Sequence, residues 1–227
     1  MSHSVVKVFV ANEQHTSYSQ IICDEMEASA KARGTGIAKR TPDYITNKML
    51  EGKAVIAITN EGVWAGFCYI ETWSHGNYVA NSGLIVAPEF RQSGLAREIK
   101  KKIFELSRKK YPEAKIFGLT TGLAVMKINS ELGYEPVTYS ELTQDDAFWK
   151  GCQSCVNFEI LKSKERKNCM CTAMLFNPQD NKNQYVGKAG KWDFTKYSKL
   201  YERFMRMKQN KLFKFFNKQL IKSILTF

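Results

Sequence analysis

Apolar and polar positions along the chain follow two rhythms. Residues 5–10, 54–59, 63–73 and 78–86 are runs rich in β-branched and aromatic side chains, and they predict strands. Between the first two, residues 16–33 place Tyr18, Ile22, Met26 and Ala30 every four residues, which is one face of a helix. Thr41 followed by Pro42 opens a second helix, with a hydroxyl at the N-cap and a proline where its missing N–H is not needed; that helix ends near Gly52. Turns at Asn60-Glu61-Gly62 and Ser74-His75-Gly76-Asn77 join the next three strands into an antiparallel unit. Leu95, Ile99, Ile103 and Leu106 then predict a long helix with one apolar face. A strand at 115–121, a helix at 122–132 stopped by Gly133, and a strand at 136–139 follow.

The junction between the strand at 78–86 and the long helix carries the clearest chemistry. Pro88 stops the strand because it has no N–H for a ladder. Gly94 leads into the helix, whose first N–H groups lack internal partners and share the positive end of the helix dipole. Arg91 adds a charge beside them, and such a place binds phosphate.

The segment Val86-x-Pro88-x-x-Arg91-x-x-Gly94-x-Ala96 resembles the acyl-CoA loop, Q/R-x-x-G-x-G/A, of the GNAT N-acyltransferases. Met126-x-Ile128-Asn129-x-x-Leu132-Gly133-Tyr134 resembles that family's segment beside the CoA arm, and the order β-α-α-β-β-β-α-β-α-β is the family's order. The resemblance covers roughly residues 5–139. It implies an α/β (α+β) chain with the GNAT fold, a central mixed but mostly antiparallel sheet with helices on both faces. The activity implied is transfer of an acyl group, most simply acetyl, from acetyl-CoA or another acyl-CoA to a small-molecule amine acceptor. Arg91, Gln92, Ser93, Gly94, Leu95 and Ala96 would hold the CoA pyrophosphate, Ile85 or Val86 would offer a backbone N–H to the thioester carbonyl, and Asn129 would lie near the cofactor. The two helices after the first strand would build the acceptor pocket, with Arg33, Lys39 and Arg40 as cations for an anionic acceptor. Stand-alone GNAT proteins of arginine biosynthesis, which acylate glutamate, are similar in overall pattern.

Two departures bear on catalysis. Many family members carry a tyrosine acid four residues before the glycine of the second segment, and here that position is Asn129; the asparagine often found seven residues earlier is Gly122. Tyr134 and Tyr139 are the candidate substitutes for that acid, and Tyr134 is set with Glu71 as the catalytic pair. Glu71, near the end of the strand at 63–73, is the leading candidate base, ahead of His75 and Glu89. The absent tyrosine supports an alternative in which the chain binds CoA as a regulatory module without turnover.

Beyond residue 139 the resemblance stops. Cys152, Cys155, Cys169 and Cys171 fall within 20 residues with the spacing C-x2-C-x13-C-x-C. Four thiolates could close the shell of one structural zinc ion; packed free thiols, a disulfide or an iron–sulfur cluster are the rivals. The expected organisation is a catalytic domain at 1–140, a Cys-rich appendage at 141–178, and a basic linker and amphipathic helical tail at 179–227. The tail holds 12 Lys and Arg against 3 Asp and Glu, +9 of the chain's +12. A helix of this kind docks on its own domain, lies on an anionic membrane or a nucleic acid, or binds a protein partner as an adaptor. No nucleic-acid module accompanies it, and a homodimer is left open. No apolar run approaches the ~18 residues of a membrane helix, and the opening residues read as a strand and not a signal, so the expected compartment is the cytoplasm with its thiols reduced.

Overall fold

The computed structural model describes residues 5–34, except the side chain of Arg33, and residues 39–180. Its strands are β1 (Val6–Val10), β2 (Ala54–Thr59), β3 (Trp64–Trp73), β4 (Tyr78–Val86), β5 (Lys115–Thr120), β6 (Glu135–Val137) and β7 (Thr172–Phe176). The helices are α1 (Ser19–Arg33), α2 (Pro42–Leu50), α3 (Leu95–Lys110), α4 (Leu123–Glu131), α5 (Asp146–Lys150) and α6 (Phe158–Ser163). Among the described residues one mixed sheet forms in the order β1-β2-β3-β4-β5-β7-β6. All its neighbours are antiparallel except β4 and β5.

Strand alternation divides the interior. Cys68, Ile70, Val79 and Ile116 point to the face covered by α3, where Ile99 and Ile103 are fully buried. Burying an isoleucine side chain stabilises by about 1.5–3 kcal/mol, so this stripe alone fixes α3 on the sheet. Phe67, Tyr69 and Ile85 point the other way, against Ile22 and Met26 of α1 and Ile45 and Met49 of α2. Ala80, Phe117 and Leu175 continue that second face and are covered by Tyr139, Leu142, Trp149 and Leu161.

The capping signals work as read. The Thr41 hydroxyl accepts from Tyr44 N at 3.3 Å, with Pro42 in the first turn of α2. Helix α1 starts later than its periodicity predicts, because Asn12 caps a 3-10 turn over Glu13–Tyr18 before it.

The stretch expected to be a separate Cys-rich appendage is part of the sheet. Strand β7 inserts between β5 and β6, with Thr120 opposite Thr172, Ile116 opposite Phe176, and Val137 opposite Ala173. The sheet is therefore incomplete at residue 139. Pairing across more than 50 residues is not written into local periodicity, and this strand was hidden in an apolar run of only five residues, TAMLF. Among the described residues no helix is long and apolar enough to cross a membrane. The basic tail lies, from 181 on, outside the described residues.

Candidate active site

The site begins with a fault in the β3–β4 ladder. Phe67 pairs with Ile85 and Tyr69 with Ser82, so Cys68 alone faces both Gly83 and Leu84. That is a β-bulge, which bends the strand carrying the extra residue. Gly83 makes it feasible, having φ of +65°, and a Cβ there would lie 2.3 Å from the Tyr69 ring and 2.8 Å from the end of Met26. Bent at this point, β4 parts from β5. The two pair only at Tyr78–Lys115, Val79–Ile116 and Ala80–Phe117; beyond that, β4 pairs with β3 alone and β5 with β7 alone. A gap opens between neighbouring strands in the middle of the sheet.

Backbone polarity lines that gap. Ala87 N donates to Ala65 O at 2.9 Å, so Ala87 and, by alternation, Ile85 address β3. Val86 addresses the gap, and its carbonyl accepts from Arg91 Nε at 3.1 Å. Of the two candidate amides, then, Val86 projects toward the gap and Ile85 does not.

The loop after β4 continues the polar path. Gln92 has φ of +63° and Gly94 of +89°, bracketing Ser93, whose hydroxyl donates to Phe90 O at 2.6 Å and accepts from Leu95 N at 3.4 Å. Gln92, Ser93 and Gly94 are exposed, and a Cβ on Gly94 would meet nothing within 4 Å. The 16-residue helix α3 starts at Leu95 with its dipole aimed into this open space. Arg91 is committed elsewhere: its Nη2 pairs with Glu25 Oε1 at 2.6 Å and donates to Ser29 Oγ at 2.8 Å. What the loop leaves open toward solvent is therefore its backbone and the helix end, and Arg91 ties the loop to α1. An acyl-CoA fits these features, its phosphates at the helix end and its arm along the strand-edge amides of the gap.

On the face covered by α1 and α2, Glu71 is 7% exposed and is met by three donors. Tyr44 hydroxyl and Arg40 Nη2, the latter at 3.1 Å, take Oε1; Ser82 Oγ donates to Oε2 at 2.9 Å. Arg40 Nε also donates to the Tyr69 hydroxyl at 2.8 Å, and both Arg40 and Lys48 lie 5.0 Å from the Tyr44 ring centroid. Burial pulls the Arg40 guanidinium down, but Tyr69 and Glu71 more than compensate, leaving it above its ordinary value. Burial, and then Glu71, push the Tyr44 phenol well up, so Tyr44 is a neutral donor. Burial pulls Lys48 down.

No family model and no curated protein sequence matches the chain. Solved structures do. N-acetylglutamate synthase from Neisseria gonorrhoeae, complexed with coenzyme A and N-acetyl-glutamate, aligns at a TM-score of 0.54 with 15% identity, over 78% of this chain and 36% of that one. An acetyltransferase of the GNAT family from Staphylococcus aureus Mu50 aligns at 0.55 with 13% identity, over 77% and 99%. The yncA protein of Salmonella typhimurium, solved with its cofactor acetyl-CoA, aligns at 0.51 with 14% identity, over 77% and 95%. This is the GNAT acetyltransferase fold. The chain spans about a third of the Neisseria synthase and almost the whole length of the other two.

Within the GNAT fold, the residues read from sequence separate into groups. Gln92, Ser93, Gly94, Leu95 and Ala96 stand together at the open helix end. Glu71 and Arg40 meet; Arg33 closes α1, with its side chain outside the described residues. Tyr134 is 0% exposed, and its hydroxyl donates to Asn81 Oδ1 at 2.9 Å on the α3 face, opposite Glu71. Asn129 is 1% exposed, packed over Gly118 of β5 with Nδ2 3.7 Å from Met174 Sδ, and its Oδ1 has no partner in the described structure.

The zinc expectation is not met. Among the described residues no group of three or more Cys, His, Asp or Glu is arranged to hold a metal. Cys169 and Cys171 precede β7 and are not on a strand. Cys169 Sγ donates to Asn157 O at 3.8 Å, and Cys155 Sγ accepts from Asn157 N at 3.4 Å, so both thiols are engaged with local backbone. Cys152 and Cys169 pack on the apolar cluster around Trp149, and burial pushes the Cys152 thiol up to about 11 and Cys171 to about 12. Spacing brought the four cysteines to one side of the fold without aiming their sulfurs at one point.

Sequence reasoning missed Tyr44, Lys48, Tyr69 and Ser82 on the face covered by α1 and α2, and Asn81 and Lys100 on the α3 face. Tyr44 and Lys48 are four apart on α2, a spacing that could have paired them with Arg40. Lys100 stands three residues before Ile103, on the apolar side of its helix, which was a signal in itself.

Proposed function

We propose that this chain is an acyl-CoA-dependent N-acyltransferase that transfers an acetyl or related group to the amine of a small acceptor carrying a carboxylate. The observation that carries the reading is the β4–β5 gap leading directly from the open N-terminus of α3. Bound acyl-CoA would supply an activated acyl carbon. The backbone of 92–96 would bind its phosphates, and the Val86 N–H would polarise the acyl carbonyl.

On the acceptor face, Arg40 is the cation best placed for a carboxylate. Glu71 and Tyr69 hold the guanidinium, and Tyr44 offers a neutral hydroxyl beside it. Glu71 has both oxygens taken by donors, so we assign it to holding this wall, with the acceptor's proton passing to solvent at the mouth of the gap. An amino acid such as glutamate suits this pocket, a reading supported by the N-acetyl-glutamate bound in the Neisseria synthase.

A screen of amino acids and simple amines with acetyl-CoA and succinyl-CoA, read as free thiol release, tests both parts. Turnover is expected with carboxylate-bearing amines. Equal rates with uncharged amines would remove the acceptor assignment. CoA binding without thiol release from any pair would instead favour a non-catalytic CoA-binding module, a reading to which the asparagine at 129 lends weight.

A further inference from the structure

Two of the six cysteines share one tight turn. After α5, residues Gly151–Ser154 form a single 3-10 turn, and Cys155 N donates to Cys152 O at 3.0 Å across it. A hydrogen-bonded turn of this kind brings its first and fourth Cα atoms within about 7 Å, and side chains three apart in a 3-10 turn stand over one another. A disulfide needs Cα atoms roughly 4.4–6.8 Å apart, so the backbone between Cys152 and Cys155 already has the span that a bond between their sulfurs requires. Both are free thiols.

The turn is held on each side. Before it, Trp149 is buried and its indole N–H donates to Thr143 O at 3.0 Å. After it, Phe158 N donates to Cys155 O at 3.0 Å, and Asn157 N donates to Cys155 Sγ at 3.4 Å. Between α1 and α2, Lys39 N donates to Ser154 Oγ at 3.4 Å. The reduced chain therefore carries the pair in a formed turn, and joining the sulfurs costs little further chain entropy. The pair is also within reach of a small molecule. Gln153 and Ser154, between the cysteines, are exposed, and both cysteines are half-buried. The two thiols differ in setting. Cys152 packs on the apolar cluster around Trp149, where burial, then Cys155 and Cys169, hold its thiol up at about 11. Cys155 is the one whose sulfur accepts a backbone N–H.

We propose that Cys152 and Cys155 form a dithiol site for small-molecule disulfides, which oxidise the pair to an intramolecular disulfide. The proposal does not depend on acyl transfer. Cys155 attacks one sulfur of the small disulfide. That bond breaks, a mixed disulfide forms on Cys155, and the expelled thiolate takes the proton that Cys155 lost. Cys152 then attacks the Cys155 sulfur; the second small thiolate leaves with the Cys152 proton, and the protein disulfide closes. Two protein thiols are oxidised, and one small disulfide is reduced to two thiols. Cys155 is the point of entry because Cys152 is packed against the aromatic cluster. Where thiols are kept reduced, a pair of this kind responds to a rise in disulfide level and does not staple the fold permanently.

The test uses the full chain and glutathione as the probe. The protein is equilibrated with mixtures of reduced and oxidised glutathione, folded in buffer and unfolded in urea, then quenched in acid, alkylated and digested with trypsin. Cleavage after Lys150 and Lys162 gives fragment 151–162, which holds these two cysteines and no other. From the folded chain the oxidised fragment is expected two hydrogens lighter and unalkylated, with an oxidation constant at least about tenfold that in urea, because the turn already holds the pair. Cys152→Ser should keep one glutathione on Cys155. An oxidation constant no higher in the folded chain than in urea overturns the proposal, and this comparison is made on the wild-type protein whether or not the variant folds. So does a disulfide joining this fragment to the one that carries Cys169 and Cys171, or a wild-type fragment that accumulates only the glutathione adduct. A folded Cys152→Ser protein with no adduct overturns the assignment of Cys155 as the attacking thiol.

Discussion

Glu71 and Tyr134 lie on opposite faces of the sheet and are tied to it through consecutive residues of β4. Ser82 Oγ donates to Glu71 Oε2 at 2.9 Å, and the Tyr134 hydroxyl donates to Asn81 Oδ1 at the same distance. Alternation along a strand is the cause. The two residues that sequence reasoning set together as base and acid are therefore held on opposite sides of the sheet. The polar network around Glu71 lies on the face covered by α1 and α2, and that around Tyr134 on the face covered by α3.

The anion-binding role proposed for residues 92–96 is testable at Gly94. Its φ of +89° strains any side chain, by roughly 1–2 kcal/mol, but a Cβ there meets no protein atom. Gly94→Val should fold, with a modest fall in Tm, and should weaken acetyl-CoA binding more than about tenfold, because the side chain projects into the space the phosphates need. Calorimetry on the folded variant checks this, and unchanged affinity would remove the loop from the site.

Gly83 is expected to behave differently. A methyl group there meets the Tyr69 ring and Met26 at less than contact distance, in addition to the strain of φ at +65°. Gly83→Ala should destabilise the fold by about 2–4 kcal/mol, seen as a lower denaturant midpoint at unchanged slope. A neutral effect would show that the bulge relaxes freely.

Arg40→Gln should raise the acceptor KM by about tenfold or more while leaving the acetyl-CoA KM within about twofold, since a charge-assisted bond is worth about 1.5–3 kcal/mol. Steady-state kinetics with the acceptor found by thiol release decides it. Matching rises in both constants would point to a general loss of structure around Glu71.

Lys100 makes a prediction about stability. Burial holds its folded-state value down to about 8 against the usual 10.5. Below pH 8 both states carry the proton and the folded state bears the full cost of the buried charge. Between pH 8 and 10.5 the folded state sheds the proton first, and the cost fades. Lys100→Met should therefore be more stable than wild type at pH 7, by an amount on the order of a few kcal/mol, and this advantage should shrink as pH rises through 8. Chemical denaturation at pH 7 and pH 9.5 measures it. An advantage independent of pH would mean the gain came from packing.

The order of elements through β6 and the helix caps were legible in the sequence. Each depends on contacts between residues close in the chain: Thr41 on Tyr44, Pro88 ending β4, and Gly94 opening α3. Tertiary structure alone decided the rest. The insertion of β7 between β5 and β6 is a pairing across distant segments, so five apolar residues in a cysteine-rich stretch gave no sign of it. The cysteine spacing could not reveal where the sulfurs point, because that depends on how the segment packs around Trp149. The same holds for charge. Arg91 and Lys100 look alike in sequence as cations near a phosphate loop, yet folding pairs one with Glu25 and seals the other beneath the sheet without a carboxylate. Which charge is paired and which is buried without a carboxylate is set by the solvent and partners each side chain meets, and only the folded chain supplies those.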